Sequence, residues 1–262
     1  MSSSAAPLID GTYNSRDTGG TPLRSGGETR SGVLYRSDAL SSLTDAGRDD
    51  LAATGVGTIV DFRTEAERGD APNLLPESPA LRTVTLSILE GAMSMPAGAG
   101  AALADPAALR ALLERIPTLD RLYVGMLESG AASFAEVARI VARSADERSG
   151  VLIHCTAGKD RTGVATALLL DAVGAERDAV VADYAVSASN LAGPWAERML
   201  ARAESWGVPR VPQIEALVTA TPPAAIEAAL AWTDERGGAA AYLRAGGLED
   251  ADLALLRERL AG

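Results

Sequence analysis

The stretch Val151-Leu152-Ile153-His154-Cys155-Thr156-Ala157-Gly158-Lys159-Asp160-Arg161-Thr162-Gly163 decides how the 262-residue chain is read. Val151 to Ile153 is a short continuous apolar run of the kind buried on both faces of a parallel sheet. Thr162 to about Val173 reads as a helix, and Gly174 ends it. A cysteine therefore sits where a strand stops and a helix begins. Backbone N–H groups and the positive end of the helix dipole meet there, and both favour a bound anion. Arg161 adds a planar fork able to grip two oxygens of a tetrahedral anion at once. Such a setting also favours thiolate over thiol. The parts suit phosphoryl transfer through a covalent cysteinyl-phosphate. The loop is not a Walker A phosphate loop, because Lys159 is followed by Asp160 and not by Ser or Thr.

Composition sharpens this reading. The chain holds one His, one Cys and, against 23 Arg, one Lys, and these three are His154, Cys155 and Lys159. A lone Cys is ordinarily a small buried hydrophobe and a lone His an ordinary core or surface residue. Three singletons inside six positions are not ordinary. Abundant Ala and Arg with almost no Lys suggests a GC-rich bacterial genome.

The surroundings of the loop imply an α/β unit. Val33-Leu34-Tyr35, Thr58 to Phe62 and Leu81 to Ser87 read as further strands. Thr44 caps a helix to about Thr54, which Gly55 and Gly57 break. Asp105-Pro106 opens a helix to about Arg115. Two more helices are expected, from Thr118 to Glu128 and from Ser133 to Ala145. After residue 175 the chain reads as about four helices, one starting at Thr221-Pro222, with Gly246-Gly247 between the last two. Residues 1 to 31 read as an ordered, irregular lead-in. The expected architecture is a central, mostly parallel sheet flanked by helices, with a helical insertion and a helical C-terminal third, all within one domain spanning 1–262.

Charge excludes some partners. The formal net charge of −11 argues against sequence-independent nucleic-acid binding, which needs a basic face. It also disfavours docking on anionic lipid. No uninterrupted apolar run approaches the roughly 18 residues of a membrane span, so stable membrane insertion is not expected. The first residues lack a signal peptide's basic and apolar regions, and one Cys forms no internal disulfide. The expected location is the cytoplasm, or outside by a route without a signal peptide. No metal cluster and no cofactor are expected.

The run His154-Cys155-x-x-Gly158-Lys159-Asp160-Arg161-Thr162-Gly163 resembles the signature loop of the cysteine-dependent protein tyrosine phosphatase superfamily. This version of it resembles the bacterial branch typified by mycobacterial protein tyrosine phosphatase B. Further matches lie upstream: Asn14-x-Arg16-Asp17 with Gly19-Gly20, Leu34-Tyr35-Arg36-Ser37-Asp38, and Val60-Asp61-Phe62-Arg63 with Glu65. Together they cover roughly residues 12 to 175. The resemblance implies hydrolysis of phosphotyrosine, in some members also of phosphoserine, phosphothreonine and phosphoinositides. It implies Cys155 as nucleophile, Arg161 as phosphate ligand and charge stabiliser, and the backbone of Thr156, Ala157, Gly158, Lys159, Asp160 and Arg161 as the phosphate cradle. Thr162 would support the departing sulfur, and His154 would orient the loop.

The general acid is open between Asp160, within the loop, and Asp61, at the end of a neighbouring strand. For Asp61 a structural ion pair with Arg63 or Arg16 is the better reading, while Asp160 divides evenly between acid and support. Asp38 and Asp17 are expected to brace the loop by hydrogen bonds. Lys159 lies in the anion site, either raising the local field or greeting a multiply charged substrate. Residues 91–128 resemble an inserted lid from which Tyr123 and Met126 could face a substrate pocket; two helices packed permanently on the core are the equal alternative. The expected partner is a phosphorylated protein or peptide. A phosphoinositide phosphatase and a phosphate-binding pseudoenzyme without turnover are the alternatives, and Arg161-Thr162-Gly163 argues against a sulfur-transfer enzyme.

Overall fold

The strand that leads into the cysteine is the centre of a five-stranded sheet. The computed structural model describes residues 6–78, 80–88, 117–144, 149–205 and 207–262. Its elements in chain order begin with β1 (Arg16–Asp17), β2 (Leu34–Ser37), α1 (Asp45–Ala53), β3 (Val56–Asp61), α2 (Glu65–Asp70) and β4 (Arg82–Thr85). There follow α3 (Leu119–Arg143), β5 (Gly150–His154), α4 (Asp160–Ala172) and α5 (Arg177–Asn190). The chain ends with α6 (Pro194–Ser205), α7 (Pro212–Thr219), α8 (Pro223–Asp234), α9 (Ala239–Ala245) and α10 (Asp250–Ala261). The strand order is β1-β2-β5-β3-β4, antiparallel only between β1 and β2. The architecture is thus α/β with a mostly parallel sheet flanked by helices.

Register explains where the site must be. His154 at the end of β5 pairs with Ser37 on one side and Asp61 on the other. Three parallel strands therefore stop at one level, and the loops leaving them share one edge. The carboxyl ends of parallel strands are where open α/β sheets bind ligands, because helix N-termini and loops converge there.

Alternate residues of the strands enter two cores, as the two-residue period of a strand requires. Leu34, Val60 and Ile153 pack under α3, α4 and the C-terminal helices. Tyr35, Ile59 and Leu152 pack on the other face with Ile9, Leu40, Leu43 and Leu51. Thr44 caps α1 by accepting a hydrogen bond from the Gly47 amide, as its sequence position predicts.

Two expectations change. The helices expected at 118–128 and 133–145 are one continuous helix, α3, of 25 residues. Ser129 and Gly130 suggest a break, but the Ser129 hydroxyl donates back to the Gly125 carbonyl at 2.9 Å. A Cβ at Gly130 would lie 2.9 Å from the Phe134 ring, so this glycine makes room for an aromatic and ends nothing. The C-terminal region holds six helices among the described residues, α5 to α10, where about four were expected. Of the expected insertion 91–128, residues 91–116 lie outside the described residues, and with them the helix expected to open at Asp105. No single helix among the described residues is long and apolar enough to cross a membrane.

Candidate active site

Cys155 follows β5 directly, is 1% exposed, and leads through a tight turn into α4. Gly158 makes that turn possible. Its φ is +62°, and a Cβ there would lie 2.3 Å from the Ser37 carbonyl oxygen, so only glycine fits. The loop's carbonyls are held on the outside. The Asn14 side-chain amide donates to the carbonyls of Ala157 and Gly158, each at 3.1 Å. Arg36 donates to the Gly158 carbonyl at 2.7 Å, and the Ala39 amide to that of Thr156 at 3.1 Å. With carbonyls turned outward, the amides of Thr156 through Arg161 make no hydrogen bond with any described residue. An uncommitted row of N–H groups at a helix N-terminus is a cradle for an anion.

The three upstream motifs are this cradle's supports. Asn14 is held in turn: its carbonyl oxygen accepts from Arg16 at 2.6 Å and from Asn190 at 3.1 Å. Asp38 accepts from the amides of Tyr13 and Asn14 at 3.0 and 2.9 Å. Burial pushes its carboxyl up to about 6, against the pull of those amides. Arg16 and Arg36 both pair with Asp183 on α5. Burial alone would raise the Asp183 carboxyl, but Arg36 and Arg16 hold it below the ordinary range. Asp17 does not brace the loop; it accepts from the amides of Gly19 and Gly32, both at 2.8 Å, and so shapes the lead-in.

Asp61 is wholly buried and fully engaged. It accepts from Arg63 Nε at 3.0 Å and Nη2 at 2.8 Å, from the Arg63 amide at 2.9 Å, and from Asn73 at 3.2 Å. Burial works to raise its carboxyl, yet Arg63 and His154 bring it below the ordinary value. An ion pair with Arg63, not with Arg16, is what the structure contains. His154 is buried on the same side. Burial pushes it down to about 4, so it is neutral near pH 7. Its Nδ1 lies 3.2 Å from the Cys155 carbonyl and its Nε2 3.3 Å from the Asn73 amide nitrogen. A neutral ring donating through Nδ1 and accepting through Nε2 satisfies both contacts.

Arg161 is held end-on. Its Nη1 and Nη2 donate to the two carboxylate oxygens of Glu67 at 2.7 and 2.6 Å. The Thr156 hydroxyl donates to the same carboxylate. Burial opposes the charge on Glu67, but Arg161 dominates and keeps the carboxyl at about 2. Nη1 also reaches the Phe62 carbonyl at 3.3 Å and Nη2 the Thr156 hydroxyl at 3.4 Å, while Nε makes no hydrogen bond with a described residue and so remains a donor for an anion. Glu67 is also the third residue of α2 and completes a capping box with Thr64.

Lys159 corrects an expectation. Its ammonium does not enter the cradle. It donates to the carbonyls of Leu217 and Ala220 at 2.7 and 3.0 Å, at the carboxyl end of α7, and its side chain is buried. Helix C-terminal carbonyls attract a cation by charge as well as by hydrogen bonding. Tyr123 and Met126 are likewise not the walls of an open pocket: both are fully buried within the main core. The Tyr123 hydroxyl instead donates to Asp160 Oδ1 at 2.6 Å and lies 2.7 Å from that of Tyr184. The Thr162 hydroxyl is buried without a hydrogen-bond partner among the described residues. No cluster of metal-binding side chains occurs among them either.

Glu67, Asn73, Asp183 and Tyr184 are the site residues that sequence reasoning missed. Thr64-x-x-Glu67 is legible as a capping box, but a reach from Glu67 to Arg161 is not, and the other three carry no local signal at all.

The chain's sequence matches the model of the tyrosine phosphatase family over residues 7–262. It is 35% identical over 162 residues to a tyrosine-protein phosphatase of Nostoc commune, across 62% of this chain and 50% of that protein. It is 31% identical over 203 residues to the triple specificity protein phosphatase PtpB of Mycobacterium tuberculosis, across 67% of each. The crystal structure of P. aeruginosa TpbA covers 67% of this chain and 79% of its own, at 19% identity and a TM-score of 0.33. The chain thus spans half the length of the Nostoc protein and two thirds of the mycobacterial one. On the family match, which takes in nearly every residue, the chain belongs to the tyrosine phosphatase family.

Proposed function

We propose that the chain hydrolyses phosphotyrosine in proteins or peptides through a cysteinyl-phosphate on Cys155. The uncommitted amides of Thr156 through Arg161, beside a guanidinium fixed by Glu67, carry this reading. The Cys155 thiolate attacks phosphorus; the S–P bond forms as the ester P–O bond breaks, and Asp160 gives its proton to the departing phenolic oxygen. Water then attacks phosphorus, Asp160 takes a proton from it, and the S–P bond breaks to release orthophosphate and the thiolate. Arg161 and the amides hold the equatorial oxygens in both steps, where charge builds. Asp160 suits the acid's role better than Asp61, whose oxygens are committed to Arg63 and Asn73 in a closed interior. His154 orients the loop through the Cys155 carbonyl.

The buried tether of Lys159 favours a singly phosphorylated substrate. Its ammonium is shared among the carbonyls of Leu217 and Ala220 and the Asp160 carboxylate, and offers nothing to a second phosphate. The relatives' names include a triple specificity phosphatase, so phosphoserine, phosphothreonine and phosphoinositides belong in the test. That test is a steady-state panel of phosphotyrosyl, phosphoseryl and phosphothreonyl peptides and phosphoinositides on wild type and Cys155→Ser. Phosphotyrosyl peptide should turn over fastest, and the variant should bind phosphopeptide without turnover. A variant as active as wild type would end the covalent mechanism. Wild type that binds but never hydrolyses would make the chain a phosphate-binding pseudoenzyme.

A further inference from the structure

Two tyrosines from different helices meet at the carboxylate of Asp160. Tyr123 comes from the second turn of α3 and Tyr184 from the middle of α5, and their rings pack edge to face with centroids 5.9 Å apart. Both are buried, at 0% and 1% exposure, and burial raises both phenols well above their ordinary value, so both stay neutral. The Tyr123 hydroxyl has one proton. It lies 2.6 Å from Asp160 Oδ1, an acceptor when ionised, so the proton points there. The 2.7 Å contact between the two hydroxyls is then donated by Tyr184. The chain of donors runs one way, from Tyr184 to Tyr123 to Asp160.

Lys159 approaches the same oxygen, with Nζ 3.4 Å from Oδ1. Donors thus crowd Oδ1, while Oδ2 has no hydrogen bond with a described residue, and the Asp160 side chain keeps 22% exposure. A proton on this carboxyl belongs on Oδ2, since a protonated Oδ1 would face two donors. We propose that Tyr123, itself held by Tyr184, is a positioning residue that turns Asp160 so that Oδ2 carries the proton delivered to the leaving oxygen. The inference rests on the phosphatase reading above and goes one step further. It explains why an aromatic whose ring belongs to the apolar core keeps a hydroxyl there: a phenylalanine would fill the same volume, but it would leave the carboxyl free to rotate.

The test exploits leaving-group chemistry. Phenyl phosphate needs a proton for its phenoxide to leave, whereas p-nitrophenyl phosphate needs it far less. Tyr123→Phe should lower kcat on phenyl phosphate about tenfold more than on p-nitrophenyl phosphate, a fraction of the roughly 10²–10⁴-fold that a positioned acid supplies. KM should not change on either ester. In an Asp160→Asn background the same substitution should cause no further selective loss, because the proton it positions is gone. Tyr184→Phe, which leaves the Tyr123 donor in place, should act in the same direction and more weakly, and serves if Tyr123→Phe folds poorly. An equal loss on both esters, or a selective loss that persists on Asp160→Asn, would overturn the proposal while leaving the phosphatase reading standing. Wild type that hydrolyses neither ester, or Cys155→Ser that hydrolyses both, would remove that reading and the inference with it.

Discussion

Glu67 grips Arg161 by both terminal nitrogens, at 2.6 and 2.7 Å, and so fixes the plane of the guanidinium beside the uncommitted amides of the loop. The pairing unites two local devices. The carboxylate caps α2 through the Thr64 amide at 2.8 Å while it holds a side chain from α4. A bend in the loop after β3 would therefore be felt at the Arg161 guanidinium.

Glu67→Gln should keep the fold and lower kcat/KM. A hydrogen bond to a charged group contributes about 1.5–3 kcal/mol, which corresponds to about 10–100-fold in rate. Steady-state kinetics on p-nitrophenyl phosphate decides it. A lower KM with kcat unchanged would show instead that the carboxylate competes with the substrate's phosphate.

Gly158→Ala should destabilise the protein by about 2 kcal/mol or more, since the new Cβ would meet Ser37 oxygen at 2.3 Å and Asp38 nitrogen at 2.6 Å. Gly174→Ala is the comparison: φ there is +96°, but a Cβ meets nothing within 4 Å, so only the backbone strain remains. Denaturant titration of the two variants separates collision from strain. Equal losses would mean that the Ser37 contact yields freely.

His154 gives stability a pH dependence whose direction is set by its burial. Its folded value of about 4 lies below the ordinary 6.5, so the unfolded chain takes the proton first. Its contribution is whole above pH 6.5 and is lost as pH falls to about 4, up to about 3 kcal/mol. Asp38 acts oppositely, because its raised carboxyl favours the folded state as pH falls through about 6. The two effects partly cancel in wild type. The stability gap between wild type and His154→Asn isolates the histidine, since Asp38 is common to both. That gap should narrow from pH 7 to pH 4 in paired melts; a constant gap would rule out a buried neutral imidazole.

The loop from His154 to Gly163 is legible in sequence because its demands are local. A strand must end, a glycine must turn left-handed, and a helix must begin. Asn14, Arg36 and Asp38 stand out only through resemblance, and their contacts with the loop could not be inferred from spacing. Asp183 is invisible for the same reason: it lies on α5, far along the chain from the arginines it pairs with. Lys159 misled for a different reason: its place in sequence points at the substrate, but a flexible ammonium goes to the best carbonyls within reach. For Tyr123 the core alternative is the one the structure contains. The break expected near Gly130 failed because a glycine serves close packing as readily as it serves a turn.

The outward-facing carbonyls of the loop carry a lesson for transplantation. Asn14, Arg36 and Ala39 pull them away from the cradle, and residues as distant as Asp183, Asn190 and Leu217 hold those anchors or the loop's lysine in place. Grafting the ten residues of the signature onto another strand–turn–helix host would carry over the thiol and the guanidinium but not the outside grip that aims the amides inward. A trimmed version of this protein would have to keep both the lead-in before β2 and the helices after α4, however far they stand from the sulfur in the chain.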